Sequence, residues 1–196
     1  MINTNSLGIL GQFYFNIKES FKSIYQNSNF YEKKISKTFE NSFKYKPSPH
    51  LLSSIIKYQS KKYKIEDFAI ESIWQNKLSP KDYEKLNNFF WFFSLDLKSS
   101  KKTTQTVIKN WISNNTKYQK RSWEFDLTAK RIISWLSNHQ LTYEDSDQEY
   151  RTTFDHMIQK QTNHLLNEIK NPKEVENKMI GCAAIILTGL AYKNEK

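Results

Sequence analysis

The sequence predicts an all-α protein, on three observations. Glycine and proline are scarce, four of each in 196 residues, which leaves few of the breakers that a turn-rich β fold needs. Apolar residues recur at intervals of three and four over most of the chain, the repeat of a helix with one buried face. Short polar clusters such as Asn27-Ser28-Asn29 and Asn114-Asn115 separate those stretches, so helices alternate with tight connections. The length suits one domain with a real core. With 15% of residues aromatic, disorder throughout is excluded.

Taken in order, Leu7, Leu10, Phe13, Tyr14, Ile17, Phe21, Ile24 and Tyr25 mark a first amphipathic helix. Phe30, Ile35, Phe39 and Phe43 mark a second, ending before Pro47, and the aromatics of both are expected to face the core. Pro47-Ser48-Pro49 forces an extended or turned backbone. From there to about residue 78 the pattern fits neither period, and a loop with short strands is expected. Ser79-Pro80 opens a helix with proline in its first turn, running to about residue 98 through Tyr83, Leu86, Phe89, Phe90, Phe93 and Leu97. Further helices are expected over about 103–114, 126–140, 146–170 and 173–191. Three regions follow: N-terminal helices over 1–46, an irregular connection over 47–78, and paired antiparallel helices over 79–196. Pairs of this kind build solenoids and toroids. The last helix is apolar nearly all round over 179–190, so it needs cover on more than one side.

The helix over 126–140 is the most informative. Ser122 or Asp126 is placed to cap its first turn. Arg131 and Trp135 are four residues apart and share a face. Arg131 there has two readings. It lies over an indole and offers its planar fork to a carboxylate or sulfate, or it pairs with Asp126 or Glu124 inside a core helix.

Trp123, Asp126, Arg131 and Trp135, as W-x-x-D-x-x-x-x-R-x-x-x-W, resemble the Trp…Arg-Ile…Trp motif of the heparinase II/III family of polysaccharide lyases. Upstream, the run from Phe89 through Trp91 and Leu95 to Leu97 is similar to that family's His-x-Phe-x-Trp-Leu-x-x-Leu helix, with Trp111-Ile112 in the helix after it. Downstream, Gln161-x-x-His164-Leu165 and the run from Ala183 to Leu190 resemble its Gln-Ala-x-x-Leu and Ala-Leu-x-x-Ala-Gly-Leu helices. The likeness covers about residues 73–192. It implies an incomplete (α/α) toroid of helical hairpins, whose last helix further hairpins would wrap. The implied activity is β-elimination of a uronic-acid-containing acidic polysaccharide, a glycosaminoglycan or alginate.

Such a reaction needs the substrate carboxylate neutralised, so that the neighbouring C–H becomes acidic, and a base to take its proton. The resemblance puts the neutralising group at Glu176-Asn177, where Glu176 has the wrong charge and Asn177 is the candidate catalytic residue. The family's Tyr base, its Asp-Gly-Gly…Glu…Ser segment and its β-sandwich domain would follow residue 196. The expectation is therefore the N-terminal part of a toroid, inactive alone. For substrate contact the candidates are Trp123, Arg131 and Trp135, with Lys130 and His139 behind them, since aromatic faces stack on pyranose rings and Arg pairs with their acidic groups. Core packing is an equally open reading of both tryptophans, a capping role of His139, and a satisfied core position of His164.

The net charge of +10 suits a polyanionic partner, although a Lys-, Asn- and Ile-rich composition produces the same charge without one. The lysines form no stripe, which argues against the alternative of a basic module on nucleic acid. A partner chain for the last helix, or a missing C-terminal β-sandwich domain that completes the cleft, is the other expectation. Cys182, the single cysteine, lies in an apolar run and is expected in the core. No metal-ligand spacing, phosphate loop or nucleophilic triad is present, so no cofactor and no metal are expected. No run is long enough to span a bilayer. The start lacks the pattern of a signal peptide, which reads as cytoplasmic, whereas the resemblance implies the periplasm or cell envelope.

Overall fold

The computed structural model describes residues 4–38, 79–94, 101–172 and 174–192, and these are all-helical. Eight α-helices are described: α1 (Thr4–Gln26), α2 (Asn29–Ile35), α3 (Pro80–Asn87), α4 (Lys101–Asn114), α5 (Phe125–Ser137), α6 (His139–Thr142), α7 (Gln148–Glu168) and α8 (Val175–Tyr192). A 3-10 helix, Phe90–Ser94, follows α3. The irregular segment expected over 47–78, with Phe39 and Phe43, lies outside the described residues.

Three starts are set by local chemistry. Ser28 Oγ accepts the Tyr31 N–H at 3.2 Å, Ser79 Oγ accepts that of Asp82 at 3.2 Å, and Asp147 Oδ1 accepts that of Tyr150 at 2.7 Å. Each satisfies a first-turn donor that has no partner within its helix. Pro80 takes the first position of α3, where its missing N–H costs nothing. For α5 neither expected cap operates. The N-cap is Glu124, without a side-chain bond. Asp126 sits in the first turn, at the positive end of the helix dipole, and pairs with Lys130 at 3.0 Å.

The helix expected over 79–98 is broken. Phe89 has a left-handed φ of 57°, and Asn88 Oδ1 accepts the Phe90 N–H at 2.9 Å, which turns the chain into the 3-10 segment. The turn buries Phe89 and Phe92 together, edge to face at 5.1 Å, which one straight helix face would not do. The helix expected over 126–140 also ends early. Asn138 Nδ2 donates to Ser134 O at 2.8 Å and Thr142 Oγ1 to Trp135 O at 2.7 Å. Side chains thus occupy carbonyls at the end of α5, and α6 restarts after the break.

The core forms around α5. Its buried positions run from Leu127 to Ser137 with a single half-buried interruption at Lys130. It packs on α7, α8, α3 and the 3-10 segment. Trp111 of α4, Trp135 of α5 and Phe89 form an edge-to-face cluster at 5.2–6.2 Å. Such pairs each add about 1 kcal/mol to their area burial. Lys160 of α7, buried, ties α2 to this body through Glu32 and the Thr116 carbonyl.

Two faces depart from expectation. Phe13, Tyr14, Phe21 and Ile24 of α1 are largely exposed, Phe21 by 70%, although their spacing predicts a core stripe. The lower part of α1 meets the body, where Tyr118 Oη donates to Gln26 Oε1 at 2.8 Å and Lys22 pairs with Glu168 at 2.5 Å. Cys182, expected in the core, is exposed on α8. The small residues Gly181, Ala184, Thr188 and Ala191 take the inward side of that helix instead. A Cβ at Gly181 would collide with the tip of the Phe125 ring, so any larger residue there must displace that ring from the contact between α8 and α5.

Candidate functional site

A cavity of about 320 Å³ opens between α1, the start of α5, the end of α7 and the start of α8. It brings together two sequence candidates 54 positions apart, Trp123 and Asn177. Asn177 is half-buried in the first turns of α8, and its Nδ2 donates to Glu174 Oε2 at 3.2 Å. Trp123 is buried and contributes one wall. Its ring meets His164 at 5.6 Å and Lys160 Nζ at 5.7 Å, so the indole face is already occupied by the protein itself.

His164 forms the floor between them. Its Nε2 lies 2.8 Å from the Trp123 carbonyl, which only accepts, so Nε2 carries the proton. Nδ1 then accepts from Tyr31 Oη at 2.6 Å. Burial pushes the His164 imidazole down to about 4, and burial holds the Tyr31 phenol well above its ordinary range. Neutral imidazole and protonated phenol match the bond between them. His164 is a satisfied core histidine, not a base poised for a substrate proton.

The walls carry more acid than base. Glu19, Glu124, Asp126 and Glu168 stand against Lys22 and Lys120. Lys22 is already paired with Glu168, which also accepts from Asn171 Nδ2 at 2.9 Å. Burial, then Asp126 and Glu84 nearby, raise the Glu124 carboxyl. A polyuronate therefore meets mostly like charge here, a cost that argues against tight binding of an acidic chain. Glu168 is the wall residue the sequence could have revealed. It follows His164 by four positions and so shares its face of α7.

The other candidates lie elsewhere. Arg131, expected to meet a charged glycan, is 0% exposed. Its Nε donates to Gln161 Oε1 at 2.8 Å, Nη1 to Asn87 O at 2.8 Å, and Nη2 to Ser122 O at 3.1 Å and Thr128 Oγ1 at 3.2 Å. Its guanidinium stacks on the Trp111 ring at 4.0 Å, not on Trp135, and neither Asp126 nor Glu124 is its partner. Burial pushes it down to about 9, still protonated at neutral pH. Trp135 is likewise enclosed, between Phe89 at 5.2 Å and Trp111 at 5.6 Å. Both are corrections of the expected substrate contacts. The physical reason is that a four-residue spacing places two side chains on one face without saying whether that face meets solvent. Lys130 is half-buried on Asp126. His139 is buried at the start of α6, with Nε2 at 3.5 Å from Glu144 Oε1, and does not line the cavity.

Among the described residues no group of three His, Cys, Asp or Glu could hold a metal ion, and no helix is long and apolar enough to cross a membrane. Comparison with family models, curated proteins and solved structures finds no match.

Proposed function

We propose that this chain serves as scaffold, the N-terminal part of an (α/α)-toroid wall of a heparinase II/III-like polysaccharide lyase, and does not supply the reacting groups. The observation that carries the reading is the enclosure of Arg131. The three residues at the heart of the resemblance, Trp123, Arg131 and Trp135, are all buried, and Arg131 fastens α3, α5, α7 and the strand of chain before α5 to one another. They are fold-forming, so the likeness to lyases is one of framework. Asn177 shares the cavity wall with Trp123, and with Glu174 and Glu176 beside it it is poorly placed to neutralise a uronate. The chain is thus a non-catalytic wall that contacts acidic polysaccharide through its net positive charge.

The test is incubation with heparin and with alginate, following the ultraviolet absorbance of the unsaturated uronate product. No turnover is expected, with salt-sensitive retention on immobilised heparin. Turnover by this chain alone, or retention on duplex DNA equal to that on heparin across a salt series, would reject the reading.

A second reading is favoured by a separate observation. Val175, Met179, Ile186 and Leu190 form an exposed apolar face along α8. Continuous apolar surface of this kind marks a docking site, so the chain is also read as a helical unit that binds protein through α8.

A further inference from the structure

Helix α1 is turned inside out. Glu19, Lys22, Ser23 and Gln26 are the residues it presents to the cavity, so its polar side faces the body. Phe13, Tyr14, Ile17, Phe21, Ile24 and Tyr25 are exposed. At roughly 100° per residue the two sets fall on opposite halves of the helix, and the apolar set covers about 120° of the circumference. A helix that packs on a core has the reverse arrangement. The contacts that seat α1, Lys22 on Glu168 and Tyr118 on Gln26, are polar and draw nothing from the apolar side.

That side runs on into α2 and there meets positive charge. The exposed Phe30 ring lies 6.2 Å from the ring of Tyr25. Lys33 and Lys34 follow Phe30 by three and four positions, which puts them on its face of α2, and Lys37 comes just past the end of that helix. Tyr31 and Ile35 are the buried residues of α2. Lys18 flanks the apolar stripe on α1, and all four lysines are exposed. Between residues 4 and 38 the only carboxylates are Glu19 and Glu32. Glu19 lines the cavity and Glu32 is held by Lys160. The outer surface of α1 and α2 thus joins large apolar side chains to unopposed lysines.

An anionic lipid surface takes both parts at once. The apolar side chains of such a helix sink about 5–10 Å, to the boundary of headgroups and acyl chains, while its lysines stay level with the lipid phosphates. Nucleic acid would match the lysines but gives Ile17, Phe21 and Ile24 nothing to enter. The net charge of +10 adds long-range attraction to an anionic bilayer. Among the described residues no helix is long and apolar enough to cross a membrane, so α1 would lie along the surface.

We propose that the outer face of α1, continued by Phe30 and the lysines of α2, binds the surface of an anionic membrane. The polysaccharide reading uses net charge alone, whereas this site needs the apolar stripe, so the two stand or fall separately.

The test is flotation of the full chain with vesicles of phosphatidylcholine, alone or mixed with phosphatidylglycerol. Flotation is expected with the mixed vesicles only. No flotation, or equal flotation with both, overturns the proposal. Phe21→Glu, and Lys33→Glu with Lys34→Glu, are each expected to weaken binding at least about tenfold. All three residues are exposed, so circular dichroism and melting stay unchanged. Lys102→Glu with Lys117→Glu removes the same charge from exposed positions elsewhere and should leave binding intact. An equal loss there would mean that net charge, not this face, holds the lipid. An environment-sensitive dye on Phe13→Cys, in a Cys182→Ser background, should shift to the blue on mixed vesicles. Binding without that shift overturns insertion of the stripe. Sedimentation without lipid supplies the last check. A self-associated chain that Phe21→Glu makes monomeric would give the face to a protein contact instead.

Discussion

Helices α5 and α8 lie against each other, yet their polarity and their burial run opposite ways. α5 carries Asp126, Lys130 and Arg131 in its thirteen residues, whereas α8 has no charge after Lys178. The more polar helix is the enclosed one. Arg131 is 0% exposed while Met179 and Ile186 are exposed by 66% and 62%. Burial of a cation is tolerated because each guanidinium nitrogen donates to an acceptor and the ring of Trp111 covers its face. Exposure of an apolar face is tolerated because it costs only its hydration, roughly 25 cal/mol per Å². The comparison teaches that position among the packed helices, more than polarity, decides burial here.

The largest expected effect comes from removing that cation. Arg131→Met leaves the carbonyls of Asn87 and Ser122 and the Gln161 side chain without their donor, and it opens space beside Trp111. A loss of about 3–5 kcal/mol is expected in urea denaturation, the scale of breaking a buried charged network. A loss below 1 kcal/mol would show that α5 does not depend on Arg131 and would collapse the contrast with α8.

Acid is expected to act on the same side of the comparison. His164 is held down to about 4 by burial, below its ordinary 6.5, so the unfolded chain binds the proton more readily. Its contribution to stability is complete above about pH 6.5 and is lost as pH falls toward 4. The loss is on the order of 3 kcal/mol. His164→Gln should flatten the melting temperature across that window while lowering it at neutral pH. An unchanged slope would place the acid sensitivity elsewhere.

Between the two helices, Gly181→Ala drives a methyl group into the Phe125 ring. A cost of about 1–3 kcal/mol is expected, read by thermal denaturation. No cost would mean that Phe125 swings aside and that the α5–α8 contact is loose. On the outer face, Ile186→Ser at low protein concentration should change stability by no more than about 0.5 kcal/mol, the range of ordinary surface substitutions. A larger loss would mean that something in the chain itself covers α8.

Much of the fold was legible before the coordinates. The polar breaks at Asn27-Ser28-Asn29 and Asn114-Asn115 end helices α1 and α4 within a residue or two, because Asn and Ser side chains compete for the backbone. Ser79-Pro80 starts α3 as its chemistry dictates. The break at Phe89 was hidden, since five aromatics in a row satisfy any helical period, and only the demand to bury Phe89 and Phe92 together bends the chain. The candidate site was half legible. Trp123 and Asn177 do border one opening, but the Tyr31–His164 pair that floors it joins residues 133 apart, which no local pattern records.

The sequence by itself determined that the described chain is helical, where most helices begin, and which positions share a face, because capping and periodicity act over a single turn. The tertiary structure alone decided that the Arg131 face turns inward, that the aromatic face of α1 and the Cys182 face of α8 turn outward, and which indole the guanidinium meets. Periodicity reports that a helix has an apolar side. What that side touches depends on elements far along the chain, and their approach is set by shape and unpaired polar groups that no short stretch of sequence contains.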